Sequence, residues 1–219
     1  MKILKKIVFY IKQIIARGIM LLLWRWRIVG KLPNIPKYVL IVAPHETAWE
    51  VPLGWAVGKI QNPPPYKFLM KIEISRYPFI GWLMGKMGGV TVDRKNEYHE
   101  RGTKPNRIKE MIEFLTTSKT GVVAIAPEGT RKVTDKREKK WFHGFYTIAL
   151  RSNVPIVMGL FDHNKKLMII SNPYYLTGYV SQDLEIIRKW YNDNRPDYNP
   201  IMHIEDFIKK LNEDYVKAP

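Results

Sequence analysis

Apolar residues near the N-terminus fall at Ile3, Leu4, Ile7, Val8, Ile11, Ile14, Ile15, Ile19, Leu22, Leu23 and Trp26, with Lys2, Lys5, Lys6, Lys12, Gln13 and Arg17 between them. Spacing of three and four puts the apolar set on one face and predicts an amphipathic helical segment over residues 1–30. Lys12, Arg17, Arg25 and Arg27 interrupt every apolar run before it reaches the roughly 18 residues of a spanning helix. The segment is therefore expected neither to cross a bilayer nor to be cleaved as a leader.

Beyond Pro33 and Pro36 the pattern changes. The runs YVLIVA (38–43), YKFLM (66–70), GVVAIA (121–126), PIVMGLF (155–161) and KLMIIS (166–171) read as strands. Helical spacing or composition occupies 48–60, 78–87, 105–118 and 144–152 between them. This alternation predicts an α/β fold, a mostly parallel sheet flanked by helices, following the amphipathic N-terminal segment. The run at 66–70 is short enough to stay ambiguous between strand and helix. NPPPY at 62–66 reads as an extended connector. SQDLEIIRKWY (181–191) and IMHIEDFIKKLNEDYV (201–216) predict two surface helices, the first capped by Ser181. With 219 residues, the chain has room for one substantial core, taken as 31–219, behind the helical segment 1–30.

Charge narrows the partners without choosing one. Lys and Arg number 36 against 20 Asp and Glu, a formal net charge of +16, which favours phospholipid headgroups, a phosphorylated small molecule or nucleic acid. A basic amphipathic helix with Trp24 and Trp26 near its end suits an anionic membrane surface; a helix packed on its own domain has the same pattern. The chain has no cysteine, which excludes disulfides, thiolate zinc sites and cysteine nucleophiles. No histidine pair has metal-ligand spacing, and no metal is assigned.

Candidate chemistry begins at APHETAWEVPLG, 43–54. Five residues on a regular helix rotate by about 140°, so His45 and Glu50 meet only if His45 lies in the loop after the strand and Glu50 in the first turn of the following helix. That placement lets the carboxylate hold one imidazole nitrogen and frees the other as a proton acceptor. TAWE is also a capping box, in which Glu50 bonds back to the Thr47 amide. The stretch alone leaves both readings open. GGVTVDR (88–94) sets paired glycines before a short strand, and APEGTR (126–131) ends another strand in a glycine turn. Strand ends of this kind are where α/β sheets place ligands, and arginine offers a fork matched to phosphate oxygens.

Taken in order, HETAWE, GGVTVDR, APEGTR and VPIVMG resemble the four motif blocks of the glycerolipid acyltransferase superfamily, most closely its lysophosphatidate (lysophospholipid) acyltransferase branch, over about residues 38–161. HGFYTIAL is similar to the family's helix before the fourth block. The branch usually has aspartate where this chain has Glu50; glutamate there is similar to the late lipid A acyltransferases. The resemblance implies an acyltransferase domain over 31–219 that moves a fatty acyl group from acyl-coenzyme A or an acyl carrier protein thioester to the free hydroxyl of a lysophospholipid. It implies His45 as general base and Glu50 as its acid, with Arg94, Glu128, Gly129 and Arg131 at the acceptor site and Lys71 as a further phosphate candidate. No bound cofactor is implied, since the thioester is a co-substrate. The expected setting is monotopic or peripheral, on the cytoplasmic face of an anionic membrane.

Three other readings remain: an acyltransferase with another acceptor, such as a lipid A-like lipid or an aminolipid; a lipid-binding protein of this fold without turnover; and a nucleic-acid-binding protein. Against the last, the cations gather at the N-terminus and in RKVTDKREKK (131–140), and no known nucleic-acid motif appears.

Overall fold

The computed structural model describes residues 2–18, 20, 25–92, 106–129 and 140–216. Its elements in order are α1 (Lys2–Gly18), β1 (Arg27–Val29), β2 (Lys37–Val42), α2 (Glu50–Gln61), β3 (Tyr66–Lys71), α3 (Ile72–Ser75), α4 (Pro78–Lys86), β4 (Gly89–Val92), α5 (Arg107–Thr117), β5 (Gly121–Ile125), α6 (Gly144–Ser152), β6 (Ile156–Asp162), β7 (Leu167–Ile170), α7 (Val180–Asn194) and α8 (Ile204–Val216). The strands form one sheet in the order β1-β7-β6-β2-β5-β3-β4, and every neighbouring pair is parallel except the β6–β7 hairpin. This is the mostly parallel α/β sheet that the alternating runs predict, and the short run at 66–70 is a strand.

Side chains alternate across the strands and divide the core in two. Tyr38, Val122 and Val157 face one side, where they meet Ala16 of α1 and Leu53, Ala56 and Val57 of α2. Val39, Ile41, Val123, Ile156 and Met158 face the other, against Met111 and Leu115 of α5, Phe145 and Ile148 of α6, and Leu184, Ile187 and Tyr191 of α7. Strand β6 is buried along its whole length, which explains its unbroken apolar sequence. Tyr66 packs on the α1–α2 side; Met70, on the same face of β3, reaches Gly89 beneath Met84, so α4 belongs to that layer too.

Local stops are set by chemistry the sequence displays. Helix α2 ends at Asn62, in the left-handed region at φ 51° with its N–H on the Gly58 carbonyl, just before the prolines. Gly88 has φ +94°, and a Cβ there would meet the Tyr66 carbonyl oxygen at 2.1 Å. The paired glycines thus serve close backbone packing where β4 begins, at the end opposite the site described below.

The structure corrects two expectations. The N-terminal segment is not helical throughout 1–30: α1 covers Lys2–Gly18, while Arg27–Val29 form a strand along β7, where the open edge offers backbone partners. Ser181 does not cap α7. Its N-cap is Tyr179, which makes no side-chain cap bond, and the preceding turn is tied by the buried Asp183, which accepts the Thr177 and Gly178 amides.

Helix α1 packs on α2 through buried Ala16, while Gln13 reaches the Ile60 carbonyl. Ile7, Ile11, Ile14 and Ile15 remain exposed, as do Phe79, Ile80, Trp82 and Leu83 of α4. Among the described residues, no helix is long and apolar enough to cross a membrane.

Candidate active site

Strands β2, β3, β5 and β6 run in one direction and end at one edge of the sheet, and the chain carries a polar side chain there at or just past each of them. His45 follows β2, Lys71 closes β3, Glu128 follows β5, and His163 follows β6. Glu50 opens α2 directly after the His45 loop.

His45 Nδ1 hydrogen-bonds Glu50 Oε2. The other carboxylate oxygen, Oε1, accepts the backbone amides of Glu46 at 2.8 Å and Thr47 at 2.9 Å, and His163 Nε2 at 3.1 Å. Burial alone would push the Glu50 pKa up, but the His45 hydrogen bond, the Thr47 amide, the His45 charge and the Glu46 amide outweigh it and hold the carboxyl below its ordinary 4.5. Glu50 is therefore ionised at neutral pH and only accepts, so His45 donates from Nδ1, and in the neutral ring the lone pair is on Nε2. The side chain of His45 is 24% exposed and that of Glu50 only 3%, which puts the imidazole at the solvent side and the acid behind it.

The capping-box reading is realised in part. Glu50 does take the Thr47 amide, yet the residue preceding α2 is Trp49, and Thr47 Oγ1 has no hydrogen-bond partner among the described residues. One carboxylate starts the helix and orients the imidazole.

Glu128 lies beneath this loop. Its Oε2 accepts the His45 backbone N–H at 3.1 Å and its Oε1 accepts the Tyr198 hydroxyl at 2.5 Å; Tyr198 in turn accepts Trp141 Nε1 at 2.8 Å. Burial, then the Glu128 charge, drives the Tyr198 pKa far upward, so the phenol stays protonated and donates. On the other flank, Arg195 grips the Glu46 carboxylate with two hydrogen bonds of 2.9 and 3.0 Å. Gly129, at φ +68°, returns its N–H to the Ala126 carbonyl at 3.0 Å and closes the turn after β5.

Of the residues singled out in the sequence, His45, Glu50 and Glu128 are therefore in direct contact, and Gly129 adjoins them. Glu128, assigned to the acceptor site, is buried and turned toward the protein. Lys71 pairs in register with Val92 at the same sheet edge. Arg94, Arg131 and the basic run to 139 lie outside the described residues. His163, Tyr198, Trp141 and Arg195 carry no local signature. His163 does share with His45 the position just past a parallel strand, which is the one signal that marks it.

Comparison with known proteins gives a concordant result. A family profile described as Acyltransferase matches residues 27–158. The chloroplastic 1-acyl-sn-glycerol-3-phosphate acyltransferase BAT2 of Brassica napus is 27% identical over 159 residues, 66% of this chain and 43% of that protein, so the chain spans less than half of that relative's length. A 1-acyl-sn-glycerol-3-phosphate acyltransferase of Streptococcus pneumoniae is 25% identical over 221 residues, 84% of this chain and 77% of that protein. The crystal structure of the 1-acyl-sn-glycerophosphate (LPA) acyltransferase PlsC from Thermotoga maritima has a similar fold, with a TM-score of 0.53 at 18% identity over 98% of this chain and 82% of that one. The profile covers more than half of the sequence and includes the His45–Glu50 pair and the turn that carries Glu128, and the chain belongs to the acyltransferase family, within the glycerolipid superfamily that its four motif blocks resemble.

Proposed function

We propose that this protein is a membrane-associated O-acyltransferase of phospholipid biosynthesis that moves a fatty acyl group from coenzyme A or acyl carrier protein to the free hydroxyl of lysophosphatidate. The observation that carries the reading is the Glu50 carboxylate on His45 Nδ1, which orients a partly exposed imidazole at the sheet edge with its lone pair on Nε2. In this scheme Nε2 takes the proton of the acceptor hydroxyl as its oxygen attacks the thioester carbon. The C–O bond forms, the C–S bond breaks, and the imidazolium returns its proton to the departing thiolate. Glu50 keeps the ring in the right tautomer and stabilises its transient charge. No covalent enzyme intermediate is needed, which suits a chain without cysteine.

The names of the relatives favour lysophosphatidate as acceptor. Arg94 and Arg131 are the residues proposed for its phosphate, with Lys71, at the end of β3, as a third cation. Gly129 gives the backbone close approach at the turn after β5, and Glu128 acts by holding the His45 amide. A monotopic seat on the cytoplasmic face of the membrane is supported by α1, whose isoleucine face is bare, and by the exposed aromatic face of α4 in the same layer.

The test is thiol release from acyl-coenzyme A and from acyl carrier protein thioester, each with lysophosphatidate, neutral lysolipids, an aminolipid and a lipid A precursor. Release that depends on lysophosphatidate is expected, and Arg94→Ala should raise KM for it about tenfold or more with little effect on a neutral acceptor. Equal loss on both acceptors rejects the phosphate role, and release with only another lipid moves the acceptor assignment to that lipid.

A further inference from the structure

We propose that His163 is a positioning residue of the same reaction: it holds the second carboxylate oxygen of Glu50, so that the acid is clamped between two imidazoles and offers its other oxygen to His45. The inference rests on the reading of His45 and Glu50 given above.

The geometry supports it from four directions. His163 Nε2 lies 3.1 Å from Glu50 Oε1, while His45 is bonded to Oε2. Because Glu50 is an ionised acceptor, His163 must donate from Nε2. With Glu46 N and Thr47 N, Oε1 then has three donors, which fix the plane of the carboxylate and therefore the direction of the bond to His45. The strands also align the two histidines. Strands β2 and β6 are adjacent and parallel, with Val42 opposite Gly159, and each releases its histidine just past its carboxyl end.

The imidazole of His163 is itself held. The Trp26 ring meets it edge to face at 5.2 Å and packs on Phe161 at 5.7 Å, and Trp26 is buried. The turn that carries His163 is closed by the Lys165 amide on Asp162 Oδ1 at 2.9 Å. A solvated loop histidine would need none of these restraints. Trp26 lies between α1 and β1 in the chain, so the brace links the start of the sheet to the His45–Glu50 pair.

Two readouts on the full-length protein test the proposal. The first needs no turnover: ring-nitrogen NMR of the histidines in wild type, His163→Gln and Glu50→Gln. A shift of the hydrogen-bonded His163 Nε2–H signal in Glu50→Gln, where a neutral amide oxygen replaces the carboxylate as acceptor, is expected; a wild-type His163 ring indistinguishable from a solvated imidazole overturns the contact. The second is kinetic. His163→Ala should lower kcat about tenfold to a hundredfold with KM for the acyl donor nearly unchanged, because misorientation affects the chemical step. His163→Gln, which keeps a donor without an imidazole, should recover most of that loss. A His163→Ala enzyme with wild-type kcat, or a loss that follows melting temperature and is not recovered by His163→Gln, contradicts the positioning role. Absence of thiol release from wild type with every acceptor would instead defeat the acyltransferase reading, and the NMR result would still decide the contact.

Discussion

A carboxylate with 3% of its side chain exposed stays anionic only if donors replace the water it has lost, and Glu50 has two backbone amides and two imidazoles around it. The glutamate that departs from the branch's usual aspartate reaches farther by one C–C bond, about 1.5 Å, and at that reach it touches both histidines. Its pKa is held below 4.5 in the folded protein, so the unfolded chain binds the proton more tightly. The stability Glu50 contributes is therefore present above about pH 4.5 and is lost as pH falls through the folded value. Glu50→Gln removes this contribution. The stability gap between wild type and Glu50→Gln, read by urea unfolding from about pH 3 to pH 7, should accordingly be widest near neutrality and narrow in acid. A constant gap contradicts a depressed carboxyl.

At the level of elements, α1 and α4 differ from the other helices in what they leave bare. Ile11, Ile14 and Ile15 of α1 and Phe79 and Trp82 of α4 are exposed large apolar side chains, while Lys12 and Arg17 of α1 and Lys86 of α4 are exposed cations. Burying one such apolar side chain contributes about 1.5–3 kcal/mol, so replacing either set by serine should weaken sedimentation with phosphatidylglycerol vesicles about tenfold or more. Surface changes of this kind leave folding nearly untouched, and unchanged vesicle binding would remove that helix from the membrane seat.

These helices and the strands were legible because their signals are local. The apolar runs of β2, β5 and β6, set off by glycine or proline, carry their strand signal within a few residues, and the isoleucine spacing of α1 is complete within one segment. His45 and Glu50 were legible for the same reason. His163, by contrast, meets Glu50 across 113 positions, Tyr198 meets Glu128 across 70, and Arg195 meets Glu46 across 149, and no local window along the chain contains any of these pairs. The sequence likewise marks Ser181 as a cap by residue type, whereas the fold assigns the turn to Asp183, whose carboxylate also binds Tyr146 and Tyr174 from α6 and the segment before α7. Long-range satisfaction of a buried charge overrode a local preference.

In the whole molecule, one sheet edge collects what the sequence scatters. Strands β2, β5 and β6 end side by side and deliver His45, Glu128 and His163, while the far face of the sheet carries the aromatic packing of Trp141, Phe145 and Tyr191. Tyr191 ties the two together, donating toward the Ile41 carbonyl at 3.1 Å, near the end of β2, and the Gly159 carbonyl at 3.2 Å, in the middle of β6. The histidine loop is thereby supported from below by Glu128 and Tyr198 and from the side by Arg195. Such a frame predicts that truncating the imidazole removes chemistry without removing structure. The direct measurement is single-turnover thiol release from the acyl thioester in the presence of lysophosphatidate, wild type against His45→Ala, with melting temperatures recorded for both. A loss of at least about a hundredfold at an unchanged melting temperature is expected of a general base; a His45→Ala enzyme within a few-fold of wild type would contradict the assignment of His45 as the group that takes the proton.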